Sequence, residues 1–96
     1  MNTIYKEVLP STMGRHRINL KGENVQILSV AEQHNQICVW YQTDGKSNLT
    51  PVEFVINWTG QPRFDYPEDI FLGTVLLFGG SLVNHVYFGR MLSEDF

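Results

Sequence analysis

The sequence predicts an all-β fold, either a small antiparallel sandwich or a partly open barrel of about seven short strands, with at most one or two short helical turns. No segment keeps helical apolar spacing over the ten or more residues of an average helix, whereas short β-prone runs recur with turn residues between them. The 96 residues can bury one compact core. We therefore expect a single domain over residues 1–96, with a loose tail at residues 90–96.

Four strands are predicted in the first half of the chain, and they cover residues 3–9, 15–20, 25–33 and 36–43. The first is a β-prone run that ends at Pro10, and the second fits a short edge strand because turn residues follow it at 21–24. His34-Asn35 separates the third strand from the fourth. This connection has hairpin length and Asn tolerates the left-handed conformation that such turns require, so the two strands should pair antiparallel.

The second half of the chain predicts a half-buried strand and a closing hairpin. Residues 51–59 alternate, with Val52, Phe54, Ile56 and Trp58 on one face and Glu53, Val55 and Asn57 on the other. This period of two is typical of an antiparallel strand that buries one side. Residues 71–78 and 82–88 are apolar and flank Gly79-Gly80, which predicts a buried hairpin. The expected core residues are Phe54, Ile56, Val75, Leu77 and Val86.

Composition and charge exclude several classes of protein. The 43% apolar and 18% charged residues are those of a folded globular chain. A formal net charge of −3 does not favour direct nucleic-acid binding, although Arg15 and Arg17 make the first quarter locally basic. The single cysteine, Cys38, excludes an intrachain disulfide and favours a reducing compartment. No apolar run has the length of a membrane span, so we expect a cytoplasmic protein without membrane association.

No residue pattern predicts catalysis, a cofactor or a metal site. The groups considered are His16, His34, His85, Ser81, Cys38, Asp65, Glu68 and Asp69. The histidines lack ligand spacing, and His34 fits a turn while His85 fits a partly buried strand position. Ser81 lacks the strand-turn-helix context of an activated nucleophile, and Cys38 is interpreted as a small core residue. The three acids fit a solvated turn. Pro67 suits the first position of a helix, so one short helical turn is expected at residues 67–70.

Binding is the better supported role, and residues 58–66 are its predicted site. The candidate binding residues are Trp58, Thr59, Gln61, Arg63 and Tyr66, with His85 and Tyr87 as neighbours from the last strand. Trp, Tyr and Arg are enriched at interaction hot spots, and long loops on a β scaffold commonly carry recognition residues. The same side chains fit a pocket, because aromatic faces stack on bases and Arg binds phosphate. Both a host protein and a small nucleotide-type ligand therefore remain candidate partners.

Five segments resemble, in the same order, a family of small uncharacterised proteins encoded by tailed phages and prophages. They are residues 27–30 (ILSV), 36–40 (QICVW), 59–62 (TGQP), 71–74 (FLGT) and 82–87 (LVNHVY). The likeness spans about residues 4–87. The sequence departs from the family pattern at Gln61, where a histidine is expected, and at residues 88–96, which run beyond the usual end. The resemblance implies a phage origin and, with it, the host cytoplasm as location. Because no activity is attached to the family, it implies no function.

These observations lead to three functional hypotheses. The first is a non-enzymatic phage accessory protein that binds and blocks a host factor, acting as a counter-defence inhibitor. The alternative is a sequestering protein that holds a nucleotide-type immune signal in a pocket lined by Trp58, Arg63 and Tyr66. The third is a minor virion structural or assembly component. Edge strands with few blocking charges after Lys21 also predict a homodimer.

Overall fold

Seven strands and one short 3-10 turn form the structure, a computed structural model that describes residues 2–92. The strands are β1 (Thr3–Leu9), β2 (Gly14–Lys21), β3 (Gln26–Gln33), β4 (Gln36–Thr43), β5 (Leu49–Trp58), β6 (Ile70–Leu77) and β7 (Leu82–Met91). All strand pairs are antiparallel. The all-β prediction is confirmed.

The strands form two separate sheets that pack face to face. The three-stranded sheet has the order β1-β4-β3, and the four-stranded sheet has the order β2-β5-β7-β6. The sheets approach each other most closely at β3 and β6, where a Cβ on Gly73 would lie 3.0 Å from a methyl carbon of Val30. Of the two predicted architectures, the chain has the sandwich. Strand β2 lies at a sheet edge, as its sequence predicted.

The core lies between the sheets and contains the residues expected there. Phe54, Ile56, Val75, Leu77 and Val86 are each at most 2% exposed, which confirms the predicted set. They pack against Ile37, Val39 and Tyr41 of β4. The buried Tyr41 hydroxyl accepts a hydrogen bond from the backbone N–H of Lys21 at 3.0 Å and so links the two sheets.

Both predicted hairpins are present, and their turns use left-handed residues. The closing hairpin is not buried as predicted, because β6 lies at a sheet edge and buries Val75 and Leu77 on one face while Phe71 and Leu76 on the other are 54% and 52% exposed. His34 and Asn35 have φ values of 54° and 59°, as a two-residue primed turn requires. The β6–β7 turn includes Phe78 (φ 52°) with Gly79 and Gly80, so β6 ends at Leu77, one residue before the predicted end. The sequence patterns that predicted these two turns lie in adjacent residues, and they placed each turn to within one residue of its position in the structure.

Other expectations need correction. The face of β5 that carries Val55 and Asn57 is also buried, because residues 59–69 fold back over it. The helical turn expected at residues 67–70 is absent: residues 66–69 form a hydrogen-bonded turn, in which the Asp69 N–H donates to the Tyr66 carbonyl at 3.0 Å, and β6 begins at Ile70. Strand β7 continues to Met91, past the predicted start of the tail at residue 90. The rest of that tail, residues 93–96, lies outside the described residues.

Cys38 is buried, but it does not belong to the core between the sheets. Its cross-strand partners are Val8 and Ala31, which place it on the outer face of the three-stranded sheet. Lys6 of β1 donates to the side-chain oxygen of Gln33 of β3 at 2.6 Å, and this pair spans the central strand that carries Cys38. The thiol is therefore shielded by its sheet neighbours. Within residues 2–92, no helix is long and apolar enough to cross a membrane.

Candidate functional site

Residues 59–69, which connect β5 to β6 and contain most of the predicted binding segment 58–66, lie across the outer face of the four-stranded sheet. Asn57 of β5 fixes its middle, because the side-chain amide donates to Asp65 Oδ1 at 2.6 Å and its oxygen accepts the Phe64 N–H at 2.7 Å. Asn57 is only 3% exposed. A buried amide that is satisfied on both sides holds this irregular segment in one conformation.

Arg15 of β2 fixes the end of the same segment. Its guanidinium donates to Asp69 Oδ2 at 2.7 Å and, on the other side, to Glu53 Oε1 of β5 at 2.5 Å and 3.0 Å. The Tyr66 ring covers the guanidinium carbon at 4.4 Å, a cation–π contact. The Arg15 hydrogen bonds are also the main cause that lowers the pKa of Asp69, so this carboxylate stays ionised.

Gly89 makes room for this cluster of Arg15, Glu53, Asp69 and Tyr66. A Cβ at position 89 would lie 2.8 Å from Arg15 Nη2 and 3.1 Å from the Glu53 carbonyl oxygen. Between Glu53 and Phe54 the β5–β7 register shifts, which leaves Gly89 as the extra residue of β7. The glycine therefore lets the guanidinium lie close against the sheet.

Arg63 projects from the segment and is held in a forked ion pair. Its Nε donates to Asp65 Oδ1 at 2.8 Å and its Nη2 to Asp65 Oδ2 at 2.6 Å, while Nη2 also lies 3.4 Å from the Tyr87 hydroxyl. These hydrogen bonds lower the pKa of Asp65 and raise that of Arg63. The Asp65 side chain is 8% exposed, whereas that of Arg63 is 70% exposed. The guanidinium is thus oriented from beneath and open to a partner from above.

Beside Arg63 the surface forms an open cavity of about 340 Å³. It is lined by Asn57, Trp58, Thr59, Gly60, Gln61, Arg63, His85 and Tyr87. We call this cavity the Arg63 cleft. Within it, the two ring nitrogens of His85 lie 2.7 Å from Thr59 Oγ1 and 3.1 Å from Thr74 Oγ1. The ring is therefore oriented by hydroxyls on both sides.

The structure brings together six of the seven predicted binding residues, because all of them except Tyr66 line the Arg63 cleft. Tyr66 instead stacks on Arg15. Trp58 lines the cleft, but its indole N–H donates to Ser11 O and Asn84 Oδ1, both at 3.0 Å. The indole N–H is therefore used in holding the fold together and is not available to a ligand.

Sequence reasoning missed three residues of this surface. Asn57 was assigned to the outer face of a strand, and nothing local showed that its amide would hold a loop. The sequence marks Arg15 only as part of a locally basic segment. Phe71 was read as part of an apolar hairpin, yet it is 54% exposed and makes an edge contact with Tyr87 at 5.4 Å between ring centroids. The alternation of side chains along a strand is the one sequence signal that could have placed Phe71 on the outer face, beside Tyr87.

Two of the side chains that were considered for catalysis or metal binding, Ser81 and His16, form hydrogen bonds to backbone carbonyls of nearby residues. The Ser81 hydroxyl donates to the Phe78 carbonyl at 2.9 Å, and His16 Nε2 lies 2.7 Å from the Thr12 carbonyl. Among residues 2–92, no three His, Cys, Asp or Glu side chains converge as a metal ion would require. A second cavity, of about 230 Å³, lies between the sheets and is lined by apolar side chains. The polar groups that could recognise a partner therefore concentrate around the Arg63 cleft.

Comparison with known proteins identifies the family but no function. No curated protein and no solved structure matches the sequence. A family model described as a domain of unknown function, DUF7352, matches residues 1–94. This match covers nearly the whole sequence of 96 residues. The chain therefore belongs to the DUF7352 family.

Proposed function

We propose that this chain is a non-enzymatic phage accessory protein that acts in the host cytoplasm, where it binds and blocks a host protein of the antiviral defence. The Arg63 cleft is its recognition surface. The observation that carries the proposal is the preorganised Arg63, whose guanidinium is exposed while Asp65 and Asn57 fix it from below. A side chain ordered before binding loses less entropy on association. The phage origin rests on the sequence resemblance, and the defence target rests on analogy with other small phage proteins.

The surroundings of Arg63 favour a protein partner over a nucleotide. The two donors of its fork, Nε and Nη2, are already bound to the Asp65 carboxylate. A phosphate that needed the same fork would have to displace that carboxylate, whose charge also repels it. A protein surface can instead use the outer guanidinium edge together with Gln61 and Tyr87, which line the same open cleft.

Sequestration of a nucleotide-type ligand is the second candidate, and the size of the cleft favours it. A volume of about 340 Å³ lies within the range of small-molecule sites, and the His85 and Tyr87 rings offer aromatic surface. Mass spectrometry of the purified protein after denaturation distinguishes the two candidates. A nucleotide retained in near-stoichiometric amount would replace the first proposal with the second.

Affinity purification from infected host cells tests the first proposal. We expect one host protein to co-purify with the wild type and to be reduced roughly tenfold or more with Arg63→Ala, since a charged hydrogen bond is lost. Arg63→Lys should fail almost as badly, because an ammonium cannot form the fork to Asp65 that orients the side chain and has no planar outer edge to present to the partner. Lys46→Ala is the matched control, because Lys46 is a similarly exposed cation, 64% exposed, in the loop after β4. Equal recovery with all variants would refute the proposal.

A further inference from the structure

All four arginines of the chain lie on one surface of the molecule. They are Arg15 and Arg17 on β2, Arg63 in the segment 59–69 and Arg90 on β7. Cross-strand pairing places Arg17 and Arg90 on either side of Glu53, on the outer face of the four-stranded sheet. The outer face of the other sheet carries Lys6 and several glutamines. The arginines are thus segregated onto the face that holds the Arg63 cleft.

Three acids of this face, Asp69, Asp65 and Glu53, lie deeper than the exposed Arg63 and Arg90, whereas Glu68 of the same segment is itself exposed. The side chains of Asp69, Asp65 and Glu53 are 1%, 8% and 16% exposed, whereas those of Arg63 and Arg90 are 70% and 71% exposed. The carboxylates hold the guanidiniums from beneath, and Arg90 Nε lies 3.5 Å from Glu53 Oε1. A molecule that approaches this face therefore meets guanidinium N–H groups before it meets any of these three carboxylates.

Exposed aromatic rings lie among these arginines. Phe64, Tyr66 and Phe71 are 43%, 54% and 54% exposed. Tyr66 stacks on Arg15, and the Phe64 carbonyl lies 3.5 Å from Arg15 Nη1, so aromatic and guanidinium groups form one continuous surface. Arginine and aromatic side chains are the types enriched where binding energy concentrates. We call this surface the arginine face.

We infer that the protein partner presents an acidic polypeptide surface with exposed aromatic side chains, which docks along the arginine face from Arg63 to Arg90. This inference rests on the proposed function and specifies its partner. Exposed guanidiniums match carboxylates by charge, and their planar edges form paired hydrogen bonds with them. Nucleic acid fits less well, because its affinity grows with the number of uncompensated cations along the backbone, and Arg15, Arg63 and Arg90 are each paired with a carboxylate. A polypeptide needs only single carboxylates placed on the free outer edges of individual guanidiniums.

A random copolymer of glutamate and tyrosine is the probe for this inference. Its binding is measured by fluorescence anisotropy for the wild type and for two double variants that change the net charge equally. The test variant is Arg63→Gln/Arg90→Gln, and the matched control is Lys6→Gln/Lys46→Gln, which removes two positive charges away from the arginine face. A DNA duplex is titrated in parallel, and thermal denaturation confirms that all variants are folded.

We expect the wild type and the lysine variant to bind the copolymer alike and the arginine variant to bind roughly tenfold more weakly. Absence of copolymer binding, an equal loss with both double variants, or tighter binding of the duplex would each overturn the inference. Failure of the proposed function is distinguishable, because no host protein would then co-purify although the copolymer still bound. Conversely, a host protein whose recovery depended on Arg63 but not on Arg90 would leave the proposed function intact and contradict the acidic docking surface.

Discussion

Removing the Arg15 guanidinium should detach the segment 59–69 from the sheet. Arg15→Met keeps the apolar stem and leaves the carboxylates of Glu53 and Asp69 without their shared cation. Loss of one partner of a buried ion pair costs about 3–5 kcal/mol. Arg15 and Glu53 are 19% and 16% exposed, so water compensates part of this loss and we expect a decrease in unfolding free energy of about 2–4 kcal/mol.

Urea denaturation at neutral pH measures this loss, and amide hydrogen exchange shows where it acts. The N–H groups of Phe64 and Asp69, which are bonded to Asn57 Oδ1 and the Tyr66 carbonyl, should exchange faster in Arg15→Met, whereas core amides of β4 should change only with global stability.

Arg90→Met is the matched control for this experiment. Arg90 contacts the same Glu53 from a position that is 71% exposed, so its loss should cost less than about 1 kcal/mol. A loss below about 1 kcal/mol for Arg15→Met, or equal losses for the two variants, would show that the Arg15 contacts do not hold the segment.

Three further predictions test the fold and its electrostatics. Leu77→Ala should lower the unfolding free energy by about 2–5 kcal/mol, whereas Leu76→Ala, on the opposite face of β6 and 52% exposed, should cost less than about 1 kcal/mol in the same urea titration. Gly22→Ala should lower the melting temperature strongly in calorimetry, because φ is +93° and the new Cβ would collide with the Thr43 side chain; an unchanged melting temperature would contradict this geometry. The pKa of Asp69 is lowered in the folded state, so its contribution to stability is present above the ordinary Asp pKa of about 4 and is lost as the pH falls below it. Denaturation between about pH 6 and pH 3 should therefore show a shallower acid loss for Asp69→Asn than for the wild type, and equal slopes would refute this assignment.

Local signals were sufficient to predict the strands, because alternation and turn chemistry are properties of adjacent residues. The His34-Asn35 turn and the alternation of β5 are examples. The burial of Val55 and Asn57 on the second face of β5 was not predictable in this way. It depends on residues 59–69 folding back over that face, and one contact that holds them there joins Arg15 to Asp69, which are 54 residues apart in sequence. No local pattern specifies such a pairing.

The candidate site was predicted in composition but not in arrangement. Gln61 and Arg63, predicted together because they are close in sequence, both line the Arg63 cleft. His85 and Tyr87, predicted as their neighbours from the last strand, line it as well. Tyr66 was grouped with them by proximity in sequence, but in an irregular segment the direction of a side chain does not follow from spacing, and the ring packs on Arg15. Side-chain directions in such segments are set by tertiary contacts.

The most direct test of the central claim, that the Arg63 cleft is where a host protein binds, is site-specific photo-crosslinking in infected host cells. A photoreactive phenylalanine analogue is introduced at Gln61, which lines the cleft, or at Ala31, which is exposed on the outer face of the other sheet. We predict that one host protein cross-links from position 61 and not from position 31. Cross-links of equal yield from both positions, or from position 31 alone, would contradict the account.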